Sequence, residues 1–359
     1  MRLFAAALAV FTAHALAVDN PARLRASKIQ EIEHVVSAVM AKSGIPGLSV
    51  AIGQDLRVTW TQGFGRADVE NRVPVEPETV FRIASISKSI TAVAVMQLVE
   101  KGKLSLEAPI QKYVPSFPEK EWPVTARALL SHMSGIRHYN SIAEVNSTRH
   151  YTDVIEPLRI FAGEPLEFEP GTRYLYTTYG FNLLGAAVEG ASGEPYLNYV
   201  REHIFAPAHM ERTGPDDAVA LIANRARGYR HNSAGAIENC ALVDTSNKIP
   251  GGGYVSTAED LVRFAIAVLR GDLVSAKTRE RMFTAARLAD GKAVPYGLGW
   301  AVVERGGKKW VGHGGAQPGA STYLLTDPSG SVTVAVLANV EGANAEAIAA
   351  RIAEIALEN

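Results

Sequence analysis

The segment Phe81–Leu104, FRIASISKSITAVAVMQLVEKGKL, constrains the chain more than any other. From Ile90 to Val99 apolar residues fill almost every helical position, interrupted only by Thr91 and Gln97. A helix that is apolar all round is buried on every side. Yet its first turn carries Lys88, set among Ser85, Ser87 and Ser89. Lysine is almost never fully buried without a partner, and taking an ammonium out of water is costly even after relaxation. The fold must therefore let Lys88 reach the surface or give it a use inside.

Ser85 and Lys88 are three residues apart, so on a helix their side chains can meet. Ser-x-x-Lys is a nucleophile pattern in which a buried lysine of lowered pKa takes the serine proton. A helix start adds the positive end of the dipole. The plain alternative is that Ser85 caps the helix and Lys88 snorkels to water. The motif alone does not choose between them.

Around this helix the pattern divides into strands at both ends and helices between. Residues 23–42 have helical periodicity and stop at Gly44. GLSVAIG and LRVTWTQGFG alternate as strands and read as a hairpin about Gln54-Asp55. Helices are expected near 89–101, 126–132, 179–191, 194–202 and 257–269. Strands return as GLGWAVVE, KKWVGHGG, GASTYLLTD and SVTVAVLANV, and AEAIAARIAEIALE closes the chain as an amphipathic helix. This order predicts an α+β fold: an antiparallel sheet flanked by terminal helices, interrupted by a helical subdomain. The sheet subdomain is placed at about 22–80 and 290–359, the helical one at about 81–289.

Composition narrows the class. A chain of 359 residues, 47% hydrophobic, can bury a substantial core. A net charge of −1 leaves no basic footprint for nucleic acid. Residues 1–17 have the layout of a secretory signal peptide: Arg2, an apolar run from Leu3 to Ala13, and small-residue steps at Ala13-His14-Ala15 and Ala15-Leu16-Ala17. The run is too short to span a bilayer, which takes about 20 residues. Cleavage after Ala15 or Ala17 would leave the domain 18–359 in a secreted or periplasmic location with no membrane span. The single cysteine, Cys240, allows no intrachain disulfide and reads as a small apolar residue. The nine histidines include no His-x-x-x-His pair, no Gly-x-Ser-x-Gly occurs and no phosphate loop follows a strand, so no metal or other cofactor is expected. Asn146-Ser147-Thr148 is a glycosylation sequon that matters only in a eukaryotic host.

Further blocks decide between the two readings of Lys88. FRIASISK resembles the signature of serine β-lactamases and penicillin-binding proteins, particularly the class C branch with its related esterases and peptidases. The similarity continues in order through GKLSLEAPIQKYVPSFP, ALLSHMSGIRHY, FEPGTRYLYTTYGFNLLGAAVEGASG, GGGYVSTAEDLVRFAIAVL, YGLGW and GHGGAQPGAS. It spans roughly residues 25–345. SHMSGIRHY, YVPSFPEKEW and GWAVVERG look most like the mitochondrial β-lactamase-like serine protease branch.

The resemblance implies roles. Ser85 matches the nucleophile and Lys88 its neighbouring lysine. Tyr176 matches the tyrosine of Tyr-x-Asn, although an aromatic-rich segment alone would place it in the core; Thr178 stands where the family has asparagine and is too short to offer an amide to substrate. His313-Gly314-Gly315 stands where the family has Lys-Thr-Gly. His313 can donate a hydrogen bond but carries full charge only below about pH 6.5; alone it would read as a structural strand histidine. Gly314 and Gly315 are expected to let substrate approach the strand, and the backbone N–H groups of Ser85 and Ala316 to hold an oxyanion. His132 and His138 read as structural. The implied activity is acyl transfer on a small-molecule or peptide substrate, cleaving peptide, amide or ester bonds. A β-lactamase, a D-alanyl-D-alanine carboxypeptidase and a non-catalytic binding protein with a degenerate pocket stay open, and oligomeric state is unknown.

Overall fold

The computed structural model describes residues 24–358, so the signal-peptide segment lies outside the described residues. Helix α1 (Ala26–Ser43) ends on Gly44, whose left-handed φ of 60° closes the helix. The hairpin follows as β1 (Gly47–Gln54) and β2 (Arg57–Asp68). Its turn falls one residue later than the sequence suggests, on Asp55-Leu56. Both have positive φ, 49° and 60°, the geometry whose twist suits a two-residue hairpin. A short strand, β3 (Val73–Pro74), pairs with the end of β2.

The chain then leaves the sheet for its helical part, where the main elements are α2 (Ser87–Glu100), α3 (Thr178–Ser192) and α4 (Ala258–Arg270). It returns as β4 (Ala301–Arg305), β5 (Lys308–Gln317), β6 (Ala320–Thr326) and β7 (Val332–Ala338), and ends in α5 (Ala345–Leu357). The sheet order is β3-β2-β1-β7-β6-β5-β4. β1 pairs antiparallel with β7, Val50 opposite Val336, so the two ends of the sequence meet in mid-sheet. This is the expected α+β, β-lactamase/transpeptidase-like arrangement.

The sheet separates two cores. One face, with Leu48, Val50, Val334 and Val336, packs against Ile32 and Val36 of α1 and Ile348 and Ile352 of α5. The other, with Ala51, Leu324, Ala335 and Leu337, packs on α2 and α4. α2 is buried from Ser87 to Leu98, and its polar side chains are satisfied inside. The Ser87 hydroxyl donates to the Ala84 carbonyl at 2.6 Å, Ser89 to Gly299 at 2.8 Å and Thr91 to Pro250 at 2.6 Å.

Local departures from the sequence expectation have physical causes. The strand anticipated from Gly297 begins only at Ala301, because Gly299 is left-handed (φ 81°) and a Cβ there would lie 2.1 Å from Ala92 of α2. The helix expected over 194–202 is α-helical at Tyr196–Val200 and then widens into a π-turn at Arg201–Phe205. A further helix, Ala276–Met282, was not anticipated.

Candidate active site

Ser85 sits in a single 3₁₀ turn, Ala84–Ile86, which feeds directly into α2. Ala84 before it has φ 47°, a left-handed conformation that costs a non-glycine residue energy and is kept only where the surroundings impose it. The turn is pressed against β5. A Cβ on Gly315 would come within 2.4 Å of the Ile83 carbonyl and 2.3 Å of Thr322 Oγ1. Ser85, half-buried, opens on a pocket of about 880 Å³ between the sheet and the helical part.

Lys88 lies behind Ser85, fully buried. Its Nζ is 3.0 Å from Ser85 Oγ, 3.1 Å from Thr178 Oγ1 and 2.6 Å from the Gly251 carbonyl oxygen. Burial first, and the charge of Lys248 second, hold its pKa well below the usual lysine range. A neutral amine has two N–H donors and one lone pair. The Gly251 carbonyl and the Thr178 hydroxyl accept the two N–H bonds, which leaves the lone pair for the proton of the Ser85 hydroxyl.

Tyr176 closes the same corner. Its ring centroid is 4.8 Å from Lys88 Nζ. Burial pushes its phenol well above the usual tyrosine range, while a hydrogen bond with Ser85 opposes that rise. Lys88 is thus moved toward the free base and Tyr176 toward the protonated acid beside one serine, a divergence that separates base from acid. Thr177 caps α3, accepting from the Gly180 N–H at 3.3 Å, and this cap places Tyr176 and Thr178 on either side of the helix start.

The structure corrects several expectations. The Thr178 hydroxyl does not reach out to substrate; it is buried and accepts from Lys88. His313 is not a free donor in the pocket. Its Nδ1 donates to the Gly314 carbonyl at 2.6 Å, and its Nε2 accepts from the Tyr296 hydroxyl at 2.8 Å. Burial above all takes its pKa down to about 3, so it is neutral at pH 7. The missing side chain of Gly315 serves the packing of β5 on the Ser85 turn, not substrate approach, and a Cβ on Gly314 would meet the Tyr323 ring at 3.2 Å. Ala316 is exposed in the pocket wall. Pairing of β5 with β4 ends at Gly312, which frees the outer edge of residues 313–316.

His132 and His138 belong to the site rather than to a remote structural block. His138 lines the pocket and accepts the Thr178 N–H at 3.2 Å through Nδ1; burial takes its pKa down to about 4. His132 is fully buried and accepts the Thr177 N–H at 3.1 Å. Its Nε2 has no hydrogen-bond partner among the described residues, and its ring centroid lies 4.3 Å from that of Tyr176 and 4.6 Å from that of Tyr296. A second buried lysine, Lys248, also lines the pocket, and burial takes its pKa down to about 8. The SHMSGIRHY block pointed to the histidines; nothing in TSNKIPGGG marks Lys248. Cys240 is half-buried and its thiol is pushed up by burial, consistent with the packing role read from the sequence. Among the described residues, Glu194, Glu202 and His203 bring their donor atoms within 4.8 Å of one another, on the surface outside the pocket. No helix among the described residues is long and apolar enough to cross a membrane.

Fold and pocket together define a serine hydrolase of β-lactamase type. The chain belongs to the β-lactamase family, whose model matches residues 32–357. It is 34% identical to the human (Homo sapiens) mitochondrial serine beta-lactamase-like protein LACTB, covering 85% of this chain and 73% of that protein. The octameric penicillin-binding protein homologue from Pyrococcus abyssi superposes with a TM-score of 0.79 at 30% identity, covering 92% of this chain and 77% of the other. The D-amino acid amidase from Ochrobactrum anthropi SV3 complexed with L-phenylalanine amide gives a TM-score of 0.79 at 25% identity, covering 92% and 98%.

Proposed function

We propose that this chain is a secreted serine hydrolase that forms an acyl-enzyme on Ser85 and cleaves peptide, amide or ester bonds. The observation that carries the reading is the set of partners around Lys88 Nζ, which directs a lone pair at the Ser85 hydroxyl. Ser85 Oγ attacks the substrate carbonyl as its proton passes to Lys88. The backbone N–H groups of Ser85 and Ala316 hold the resulting oxyanion, where one such donor is typically worth about 3–4 kcal/mol. The Tyr176 phenol gives its proton to the leaving group as the tetrahedral carbon collapses, and the proton held by Lys88 passes to the Tyr176 oxygen, which restores both the phenol and the free amine. Water, deprotonated in turn by Lys88, then releases the acyl group. General-base assistance of this kind contributes about 10²–10⁴-fold.

Amide and ester substrates are favoured over β-lactams because the strand position where the family carries lysine is here a neutral His313 with both ring nitrogens engaged. The likeness to an amidase complexed with an amino-acid amide supports the same class. A binding protein without turnover fits less well, since the Ser85–Lys88 pair is intact and aligned. Export is supported by the amino-terminal pattern; amino-terminal sequencing of the exported chain should begin at Leu16 or Val18.

A fluorophosphonate probe should label the wild type, and the mature protein should hydrolyse a p-nitrophenyl ester with higher kcat/KM than nitrocefin. Ser85→Ala should abolish labelling and lower turnover by on the order of 10⁴-fold or more, with thermal stability nearly unchanged. Labelling that survives Ser85→Ala, or nitrocefin turnover far above the ester rate, would overturn the respective half of this reading.

A further inference from the structure

Lys248 has no role in the chemistry above, yet it is placed as if something should meet it. It ends the 3₁₀ turn Thr245–Lys248 and lines the pocket with His138, Tyr139 and Val145. It is 3% exposed. Among the described residues, the only hydrogen-bond contact of its amine is a long one, 3.4 Å to the Val145 carbonyl, and the Tyr139 ring centroid lies 5.5 Å from Nζ. Among the described residues, no carboxylate lies within ion-pair distance of it. The acidic group that acts on it electrostatically, Asp216, is already held by two guanidiniums, Arg82 at 2.7 Å and Arg225. A buried ammonium with donors left unsatisfied is expensive unless an anion completes it.

Strand β5 supplies no fixed positive charge to the pocket. His313 is neutral and fully engaged, and Lys88 is turned toward the free amine. We propose that Lys248 is the anion anchor of this pocket, and that the natural substrates are amides or esters carrying a carboxylate that reaches Lys248 when their carbonyl lies at Ser85. This rests on the reading of Ser85 as nucleophile. It moves the anion-recognition point from strand β5 to the turn that precedes Gly251 and Gly252.

The test compares p-nitrophenyl butyrate with mono-p-nitrophenyl glutarate, an ester of similar reach that adds a carboxylate. Lys248→Met should lower kcat/KM for the glutarate ester by about 10–100-fold more than for the butyrate ester, the range of a charge-assisted hydrogen bond. The difference should lie mainly in KM, and Lys248→Arg should restore part of it. If Lys248 only tunes Lys88 or supports the fold, both esters lose kcat alike and the inference fails. A second measurement needs no variant: glutarate should bind the wild type at least about tenfold more tightly than the uncharged glutaramide by calorimetry. Equal binding overturns the anchor. Because binding is read without turnover, a protein that binds glutarate but shows no Ser85 labelling refutes the nucleophile reading and leaves the anchor standing.

Discussion

Lys88 and Lys248 are both buried, but their surroundings prepare them for opposite states. Lys88 faces two acceptors and one hydroxyl that can donate, and burial depresses its pKa. Lys88→Arg should therefore fail, because a guanidinium does not release its proton at working pH; probe acylation should fall by about 10²–10⁴-fold. Near-normal acylation in that variant would show that charge rather than proton transfer is what the position supplies. Lys88→Met should be equally inactive yet folded. The folded pKa of Lys88 lies below its unfolded value of 10.5, so the unfolded chain binds the extra proton and the wild type is penalised below that pH. The stability advantage of Lys88→Met should be largest at low pH and shrink as pH approaches 10.5, measured by denaturant unfolding across pH. Lys88 stood out in the sequence because a charge on an all-apolar helix demands an explanation. Lys248 did not, since it lies in a short polar turn whose burial is decided by distant residues.

The turn that carries Ser85 is held by strand β5, and glycine 315 is the point of contact. Gly315→Ala would put a methyl 2.4 Å from the Ile83 carbonyl and 2.3 Å from Thr322 Oγ1. Backbone cannot yield there as a flexible side chain would, so stability should fall by roughly 1–3 kcal/mol. The Ser85 turn should shift with it, lowering kcat/KM by about 10²-fold even though residue 315 performs no chemistry. Full activity at reduced stability would place the contact outside the positioning of Ser85. Such contacts limit what a linear reading recovers. Strands β5 to β7 and helices α2 and α4 follow from their own periodicity; β1 was legible to within a residue, and β2 runs three residues past the expected Gly65 to Asp68. The Asp55-Leu56 turn, the late start of β4 and the engaged state of His313 each depend on a partner outside the local stretch: the Leu56 N–H on the Gly330 carbonyl, Gly299 on Ala92, His313 on Tyr296.

Joining its two ends through the β1–β7 pair gives the chain a sheet with a core on each face, and the pocket forms where the second core meets the edge of β5. Amphipathic terminal helices and alternating strands made that plan readable, whereas the pocket's charge state belongs to the assembled molecule. His132, His138 and His313 are all kept neutral chiefly by burial, and their folded pKa values lie below the ordinary 6.5. As pH falls through 6.5 the unfolded chain takes up protons that the folded chain refuses. Each such proton costs about 1.4 kcal/mol per pH unit. Stability conferred by the neutral histidines is thus complete above about pH 6.5 and is lost progressively below it, down to about 4 for His138 and about 3 for His313. Asp260, raised by burial, acts in the opposite direction as it protonates, and Glu70, held down to about 2 by its hydrogen bonds, adds its loss of stability below about pH 4.5. Lys88 already gives stability a downward slope as pH falls below 10.5, so calorimetric Tm should fall more steeply between pH 6.5 and 4.5 than between 8 and 7. His138→Gln, which keeps an acceptor for the Thr178 N–H, should reduce that slope by removing one refused proton. A Tm slope that does not steepen between pH 6.5 and 5 would mean that water reaches these rings and that the pocket floor is not the dry site its hydrogen bonds describe.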